Sequence, residues 1–147
     1  MSSRPWYVDE RAHHLAIVHL TRRDDLVVRS APEDERPGFL VTITSGGHHW
    51  RVFGVDLRAE LAPFAAGAEH SLSDHERELF RDIPFPVIQL VFDVRRDDGR
   101  FRWIKEPVAG AEGAGLRLTR SGALRPFDRA TLDEVVTAVS EWYERGR

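Results

Sequence analysis

The sequence contains no cysteine among its 147 residues. Disulfide bonds, thiol nucleophiles and thiolate zinc sites are therefore excluded, and a metal ion would have to be held by histidine, carboxylate or backbone oxygen. No Gly-x-Gly-x-x-Gly, Walker or Gly-x-Ser-x-Gly pattern occurs either. The chain thus lacks the best-defined sequence signatures of nucleotide-binding proteins and serine hydrolases.

Long hydrophobic runs are also missing, since no apolar stretch approaches the ~20 residues that span a bilayer. The first residues, "MSSRPWYVDER", lack the apolar core of a signal peptide, so we expect a cytoplasmic protein. A hydrophobic content of 41% with 31% charged residues is typical of a globular chain. The length fits one core, and we expect a single domain over 1–147.

The net charge of -3 provides no overall attraction for a polyanion. Arginines do occur close together at Arg22 and Arg23, at Arg95 and Arg96, and at Arg100 and Arg102. These clusters could form a local basic patch for nucleic acid. Solvated loop ends are the simpler interpretation, and we favour it.

Hydrophobic periodicity predicts the first half of the chain as a helix followed by three strands. The helix covers 8 to about 22, with Val8, Ala12, Leu15, Ala16 and His19 along one side. A β-branched strand at 26–31 leads into the polar loop "PEDERPG". Apolar segments at 39–45 and 50–59 flank "GGHH", which indicates a β-hairpin.

In the second half, Ser73 and Glu76 have the spacing of a capping box, which predicts a helix from about 74 to 82. The nearly continuous apolar run at 87–94 is typical of a central strand covered on both faces. Further strands are predicted at 100–108 and at 115–120. A last helix is predicted after a second capping box at Thr131 and Glu134, with its apolar face formed by Leu132, Val135, Val136, Val139, Trp142 and Tyr143.

The predicted order is helix, three strands, helix and strand, with extra strands and a C-terminal helix, which is an α/β (α+β) arrangement. Together with "HLTRRDDLVV", "FLVTI", "VFGVDLRAE", "DIPFPVIQLVFDV" and "RWIKEPV", it resembles an uncharacterised bacterial domain family of the PD-(D/E)xK superfamily. The resemblance covers roughly 10–108. It implies a restriction-endonuclease-like core, with a mixed central sheet flanked by helices.

In active members of that superfamily, an Asp before one hairpin strand and a Glu-x-Lys on the next strand bind a divalent metal and orient water. Here Gly38 stands at the first position, while Asp56 and Arg58 replace the acid and the lysine. Asp56 keeps a carboxylate that could bind metal. Arg58 keeps a charge but cannot deprotonate. A strand places residues two apart on one face, so this pair is the candidate catalytic position.

The resemblance therefore implies a catalytically degenerate nuclease-like domain that serves as a binding or assembly module, in the setting of a bacterial defence system. The alternative is an active Mg²⁺-dependent endonuclease with a relocated ligand. Glu10 is a candidate for that ligand, as are Glu33, Asp34 and Glu35. We expect no cofactor, or Mg²⁺ if the domain is active. We also expect a protein partner or a homo-oligomer, with a sheet edge or the terminal helix as one candidate surface.

Other interpretations of Asp56 and Arg58 depend on their environment. If both face water, they form a charge pair that contributes under ~1 kcal/mol. If they are buried in a pocket, the desolvation cost favours an anion-binding role for Arg58.

The seven histidines raise the question of a zinc site, to which His14, His48 and His75 could contribute. Consecutive histidines point to different sides, so the pairs at 13–14 and 48–49 do not have ligand spacing. Among the tryptophans, Trp103 and Trp142 follow core patterns. Trp6 and Trp50 lie at element edges and are predicted to be exposed.

Overall fold

The protein is described by a computed structural model that covers residues 5–32, 35–47, 50–110 and 113–146, with the backbone alone at 109 and 110. Its helices are α1 (Tyr7–Leu20), α2 (Asp74–Arg81) and α3 (Arg129–Arg145). Its strands are β1 (Leu26–Ser30), β2 (Phe39–Ile43), β3 (Arg51–Glu60), β4 (Glu69–Ser71), β5 (Val87–Asp93), β6 (Asp98–Gly110), β7 (Gly113–Leu118), β8 (Ser121–Ala123) and β9 (Arg125–Pro126).

The central sheet has the strand order β1-β2-β3-β5-β6-β7, and the short β9 also pairs with β6. All neighbours run antiparallel except β3 and β5, whose parallel pairing is connected through α2. β4 and β8 form a separate two-stranded sheet. The predicted fold class, a mixed sheet flanked by helices with a C-terminal helix, is confirmed.

One face of the central sheet packs against α1 and α3 and holds the main hydrophobic core. β3 contributes Phe53 and Val55 to this face, and β5 contributes Ile88, Leu90 and Phe92. All five side chains are 0% exposed. This dense apolar contact is the chief source of stability in the fold.

The opposite face carries a smaller apolar cluster of Leu72, Phe80, Val87 and Ile104 beside α2. The side chains that alternate with the core residues on β3 and β5 point to this second face. They include Asp56 and Gln89, which lie directly opposite each other in the strand register. The two faces of the same strands therefore differ sharply in polarity.

The predicted capping box of α2 is confirmed, because Ser73 and Glu76 make both of its hydrogen bonds. The predicted capping box of α3 is wrong in its position. Asp128 is the N-cap and Thr131 is its partner three residues later, so the helix begins earlier than the pattern suggested. An Asp side chain caps as well as Ser or Thr does, and its pairing with a threonine hydroxyl falls outside the usual motif.

Three short strands, β4, β8 and β9, were not predicted. They have two or three residues each, and an alternation of apolar and polar residues cannot be recognised over so short a segment. The segment between β3 and α2, for which no element was predicted, contains β4. No helix in the described ranges is long and apolar enough to cross a membrane.

Candidate functional site

The carboxylate of Asp56 lies on the α2 side of β3, and its side chain is 2% exposed. Arg36, from the loop before β2, approaches it with a two-pronged hydrogen bond. Its Nε donates to Oδ1 at 2.6 Å and its Nη2 donates to Oδ2 at 2.9 Å. This bidentate geometry is the strongest that arginine makes with a carboxylate. Both oxygens of Asp56 are thus engaged by one guanidinium group.

Glu76 adds a second acid to the site from the first turn of α2. Its Oε2 accepts from Arg36 Nη2 at 2.9 Å and also pairs with Arg58 Nη2. Its other oxygen accepts the Ser73 N–H in the capping box. Arg58 Nε lies 3.7 Å from Asp56 Oδ2, which closes a ring of alternating charges. We call Arg36, Asp56, Arg58 and Glu76 the charged network.

Two neighbouring strands extend the network with buried polar groups. Gln89 on β5 donates to Asp56 Oδ2 at 3.3 Å, and it accepts from Arg102 Nε of β6 at 3.0 Å. Arg102 also donates to the carbonyl oxygens of Trp103 and Thr119 at 3.0 and 2.9 Å. Burial lowers the pKa of Arg102. Its charge is stabilised by dipoles of the backbone and of Gln89 rather than by a directly bonded acid.

His70, on β4, is half-buried beside these arginines. Its Nδ1 is buried and has no hydrogen-bond partner among the residues that the structure describes. Burial lowers its pKa, and the nearby positive charges of Arg58 and Arg102 lower it further. We therefore expect His70 to be neutral at pH 7, with its charged form disfavoured by its surroundings.

The loop that carries Arg36 lies close against the sheet because β3 has a glycine at the contact. A Cβ atom added to Gly54 would lie 2.5 Å from Cγ of Pro37 and 3.2 Å from the ring of Phe85. The guanidinium of Arg36 also lies over the Phe80 ring, 5.4 Å from its centroid. Because Gly54 has no side chain, Pro37, the residue after Arg36, can pack directly against β3.

The structure brings Asp56 and Arg58 together on one face, as the strand period predicts. Glu10 lies on the other side of the sheet, where α1 packs against the face that carries Leu57. It lines a cleft of 470 Å³ together with Glu35 and Gly38. Neither of these two acids contacts Asp56. The remaining candidates, Glu33 and Asp34, lie outside the described residues.

Of the histidines considered for zinc, the two that the structure describes, His14 and His75, lie apart. His14 lines the cleft beside α1, while His75 is exposed on α2 across the sheet. His48 and His49 fall outside the described residues. In the ranges that are described, no three side chains of the metal-binding types form a group that could hold an ion. His19 instead packs against Phe92 and Phe127, and burial lowers its pKa.

The arginine clusters are largely neutralised by neighbouring acids. Arg23 pairs with Asp25 and Asp133, and Arg100 pairs with Asp98. Arg96 likewise pairs with Asp93. Arg102 is 4% exposed and is bonded to Gln89 beside the charged network. The separate clusters therefore present less free positive charge than their sequence suggests.

The environment of Asp56 is buried, so the interpretation as an exposed charge pair does not apply. Sequence reasoning missed Arg36, Glu76, Gln89 and Arg102 as its neighbours. One signal was available, because Gln89 is the polar residue inside the apolar run "VIQLVF". A polar side chain in a strand covered on both faces needs a buried partner. Arg36 gave no such signal, since it lies in a polar loop.

Comparisons of the chain with protein-family models, with curated proteins and with solved structures find no match. The residues and their geometry are accordingly the basis for a functional interpretation.

Proposed function

We propose that this chain is a binding or assembly module built on a nuclease-like scaffold, in which the former metal position has become a structural clasp. The main support for the proposal is the bidentate hydrogen bonding of Arg36 to Asp56, with Nε–Oδ1 and Nη2–Oδ2 distances of 2.6 and 2.9 Å. The resemblance in sequence adds a bacterial defence system as its setting. The proposal assigns the function to a surface of the domain rather than to catalysis at Asp56.

Electrostatics supports this assignment. A divalent cation at Asp56 would have to displace Arg36 or lie beside two guanidinium groups, and like charges repel strongly in a partly buried site. Gly38 offers no side-chain ligand in place of the expected acid. Position 38 therefore adds no carboxylate to that of Asp56.

Arg58 is also unsuited to the role of the lysine. A planar guanidinium differs in shape from the compact ammonium of a lysine, and Arg58 is already paired with Glu76. That pairing equally weakens an anion-binding role, because a bound anion would compete with a carboxylate already in place. Within the charged network, two positive groups face two negative ones. The network therefore has little charge left to attract an anionic ligand.

One observation favours the alternative, a metal-dependent nuclease with Glu76 as the relocated ligand. Asp56 and Glu76 both accept from the same nitrogen, Arg36 Nη2, each at 2.9 Å. If Arg36 left this position, two carboxylates would face a common point. Two carboxylates with water suffice for Mg²⁺ in many enzymes. Activity on this route requires the loop to move Arg36 away.

Titration calorimetry with Mg²⁺ and Mn²⁺ separates the two functions. We expect no binding by the wild type, and no cleavage of DNA or RNA with either ion. The matched control is Asp98→Asn, which alters an acid paired with Arg100 at the surface. Micromolar binding by the wild type that Asp56→Ala abolishes and Asp98→Asn retains would overturn the proposal.

The variant Arg36→Gln tests the alternative directly. If the charged network is only a clasp, this variant is less stable but still fails to bind metal. Metal binding gained by Arg36→Gln, and lost again in Arg36→Gln with Glu76→Gln, would identify Arg36 as an inhibitor of a latent nuclease site.

A further inference from the structure

The two edges of the central sheet differ in how they are covered. β7, at one edge, packs against both α2 and α3, and none of its large apolar side chains is exposed. β1, at the other edge, contacts α1 and directs Leu26 and Val28 to the core, but its other face exposes Val27 at 46% and also exposes Arg29. An uncovered edge strand with an exposed apolar residue is a template for pairing with another strand.

Among the described residues, nothing bonds to the backbone groups of β1 that point away from β2. Thr44 N–H donates to Asp25 O, and Ala31 N–H donates to Gly38 O, each at 2.8 Å. These bonds fix which residues of β1 face β2, because the direction alternates along a strand. Leu26, Val28 and Ser30 consequently direct their N–H and C=O groups outward. In the part of the chain that the structure describes, no partner bonds those groups.

We propose that β1 pairs antiparallel with β1 of a second copy of this chain, around a twofold axis at Val27. This inference gives the assembly role proposed above a surface, and it rests on that role. In this register Val27 lies opposite Val27 of the second copy, and Leu26 lies opposite Val28. The outward-facing groups of Leu26 and Val28 then bond across the axis, extending each seven-stranded sheet into the other.

Charge selects this register over its neighbours. With the axis at Val27, Arg29 lies opposite Asp25 of the second copy. An axis at Arg29 would place two arginines face to face, and directly opposed like charges destabilise a strand pair. An axis at Val28 would place Arg29 opposite Val27 and leave its charge unpaired.

Asp25 can accept this second arginine. It already pairs with Arg23, whose Nε and Nη2 donate to its two oxygens at 2.9 and 2.8 Å, and it is also hydrogen-bonded to Ser45, so that 16% of its side chain stays exposed to a further donor. A carboxylate oxygen has lone pairs for more than one donor, and Glu76 accepts from two arginines in the same molecule. Arg29 itself makes no ion pair with the described residues of its own chain. A second copy therefore offers Arg29 an acid, which the described residues of its own chain do not.

A single-cysteine variant tests the axis, because the chain has no cysteine of its own. The two Val27 residues would form a non-hydrogen-bonded antiparallel pair, because the backbone groups of Val27 point to β2. In such a pair the Cα atoms lie about 4.5 Å apart, within the range that a disulfide spans. We expect Val27→Cys to form a disulfide-linked dimer under mild oxidation. The matched control is Val18→Cys, at a residue of α1 that is 55% exposed. Equal cross-linking of the two variants would overturn the proposal.

Charge substitution provides an independent test by light scattering after size exclusion. We expect the wild type to dimerise, and Val27→Lys and Val27→Glu each to weaken the dimer at least tenfold. An equimolar mixture of the two variants should dimerise again, since opposite charges then meet at the axis. A wild type that stays monomeric at several hundred micromolar, or a mixture that does not recover, contradicts the proposal. Either result leaves the metal titration unaffected, so the two proposals fail separately.

Discussion

The two faces of the central sheet are built from the same strands but stabilised by different interactions. On β3, Phe53 and Val55 enter the apolar core, while Gly54 and Asp56, which alternate with them, lie on the face of the charged network. The first face depends on hydrophobic burial, which is strong and non-directional. The second depends on hydrogen bonds and ion pairs whose geometry is specific.

This difference explains why a buried ionic cluster persists next to a core that could supply stability alone. Buried ion pairs often contribute little net stability, because desolvation offsets their attraction. In some proteins they also fix a unique arrangement of the groups that they join. Here the network fixes the loop of Arg36 and the first turn of α2 against β3. Substitutions on the two faces should therefore differ in how much they lower the free energy of unfolding. They should also differ in whether the effects of paired substitutions add.

The largest effect is expected on the apolar face. Phe53→Ala removes a side chain that is 0% exposed and leaves a cavity in the core, which should cost about 3–5 kcal/mol in the free energy of unfolding. Urea denaturation followed by circular dichroism measures this loss. The control Leu79→Ala, at a residue 42% exposed, should change stability by under about 0.5 kcal/mol. Similar losses for both variants would contradict the assigned core.

An intermediate effect is expected for Arg36→Ala, which leaves the Asp56 carboxylate buried with Gln89 as its remaining close donor. Because Arg36 is partly exposed, we expect a loss of about 1–3 kcal/mol. Glu134→Gln, which breaks the exposed pair with Arg125, should cost under about 1 kcal/mol. The double variant Arg36→Met with Asp56→Leu should lose less than the two single variants together. Strict additivity would show that the pair is not coupled.

Gly54 and Gly38 distinguish close packing from open space at the two ends of the contact between the Arg36 loop and the sheet. Gly54→Ala forces a Cβ atom against Pro37 and should cost about 1–3 kcal/mol by overpacking. Gly38→Ala meets no atom within 4 Å, and it should be neutral or stabilise by up to about 1 kcal/mol. Thermal unfolding of both variants measures the difference. Equal melting temperatures would mean that the loop does not pack on Gly54.

The smallest effect is the contribution of His70 to pH dependence. Its pKa is lowered in the folded state, so the unfolded chain binds more protons just below the ordinary histidine pKa. Stability therefore falls as the pH drops from about 7 through the folded pKa. His70→Gln should reduce this slope while leaving stability above pH 7 less affected. Urea midpoints from pH 5 to 8 measure it, and an unchanged slope would rule out His70 as a contributor.

Much of the fold follows from the sequence because its main elements have clear periodicity. The hairpin of β2 and β3, the central β5 and the apolar face of α3 were all predicted from apolar spacing. The exposure of Trp6 and Trp50, at 80% and 45%, was predicted as well. The short strand β4 was missed, although it positions His70 beside the arginines. An element of three residues is defined by its partner strand, and that partner is distant in the sequence.

The sequence by itself determined that Asp56 and Arg58 share one face of a strand, because side chains alternate with a period of two. Only the tertiary structure decided what that face contains. Arg36 bonds to Asp56 from a loop 20 residues earlier in the chain, and Glu76 joins the charged network from α2 through Arg36 and Arg58. Contacts between residues so far apart in the sequence depend on how separate elements pack together. The spacing of residues within one element does not predict that packing.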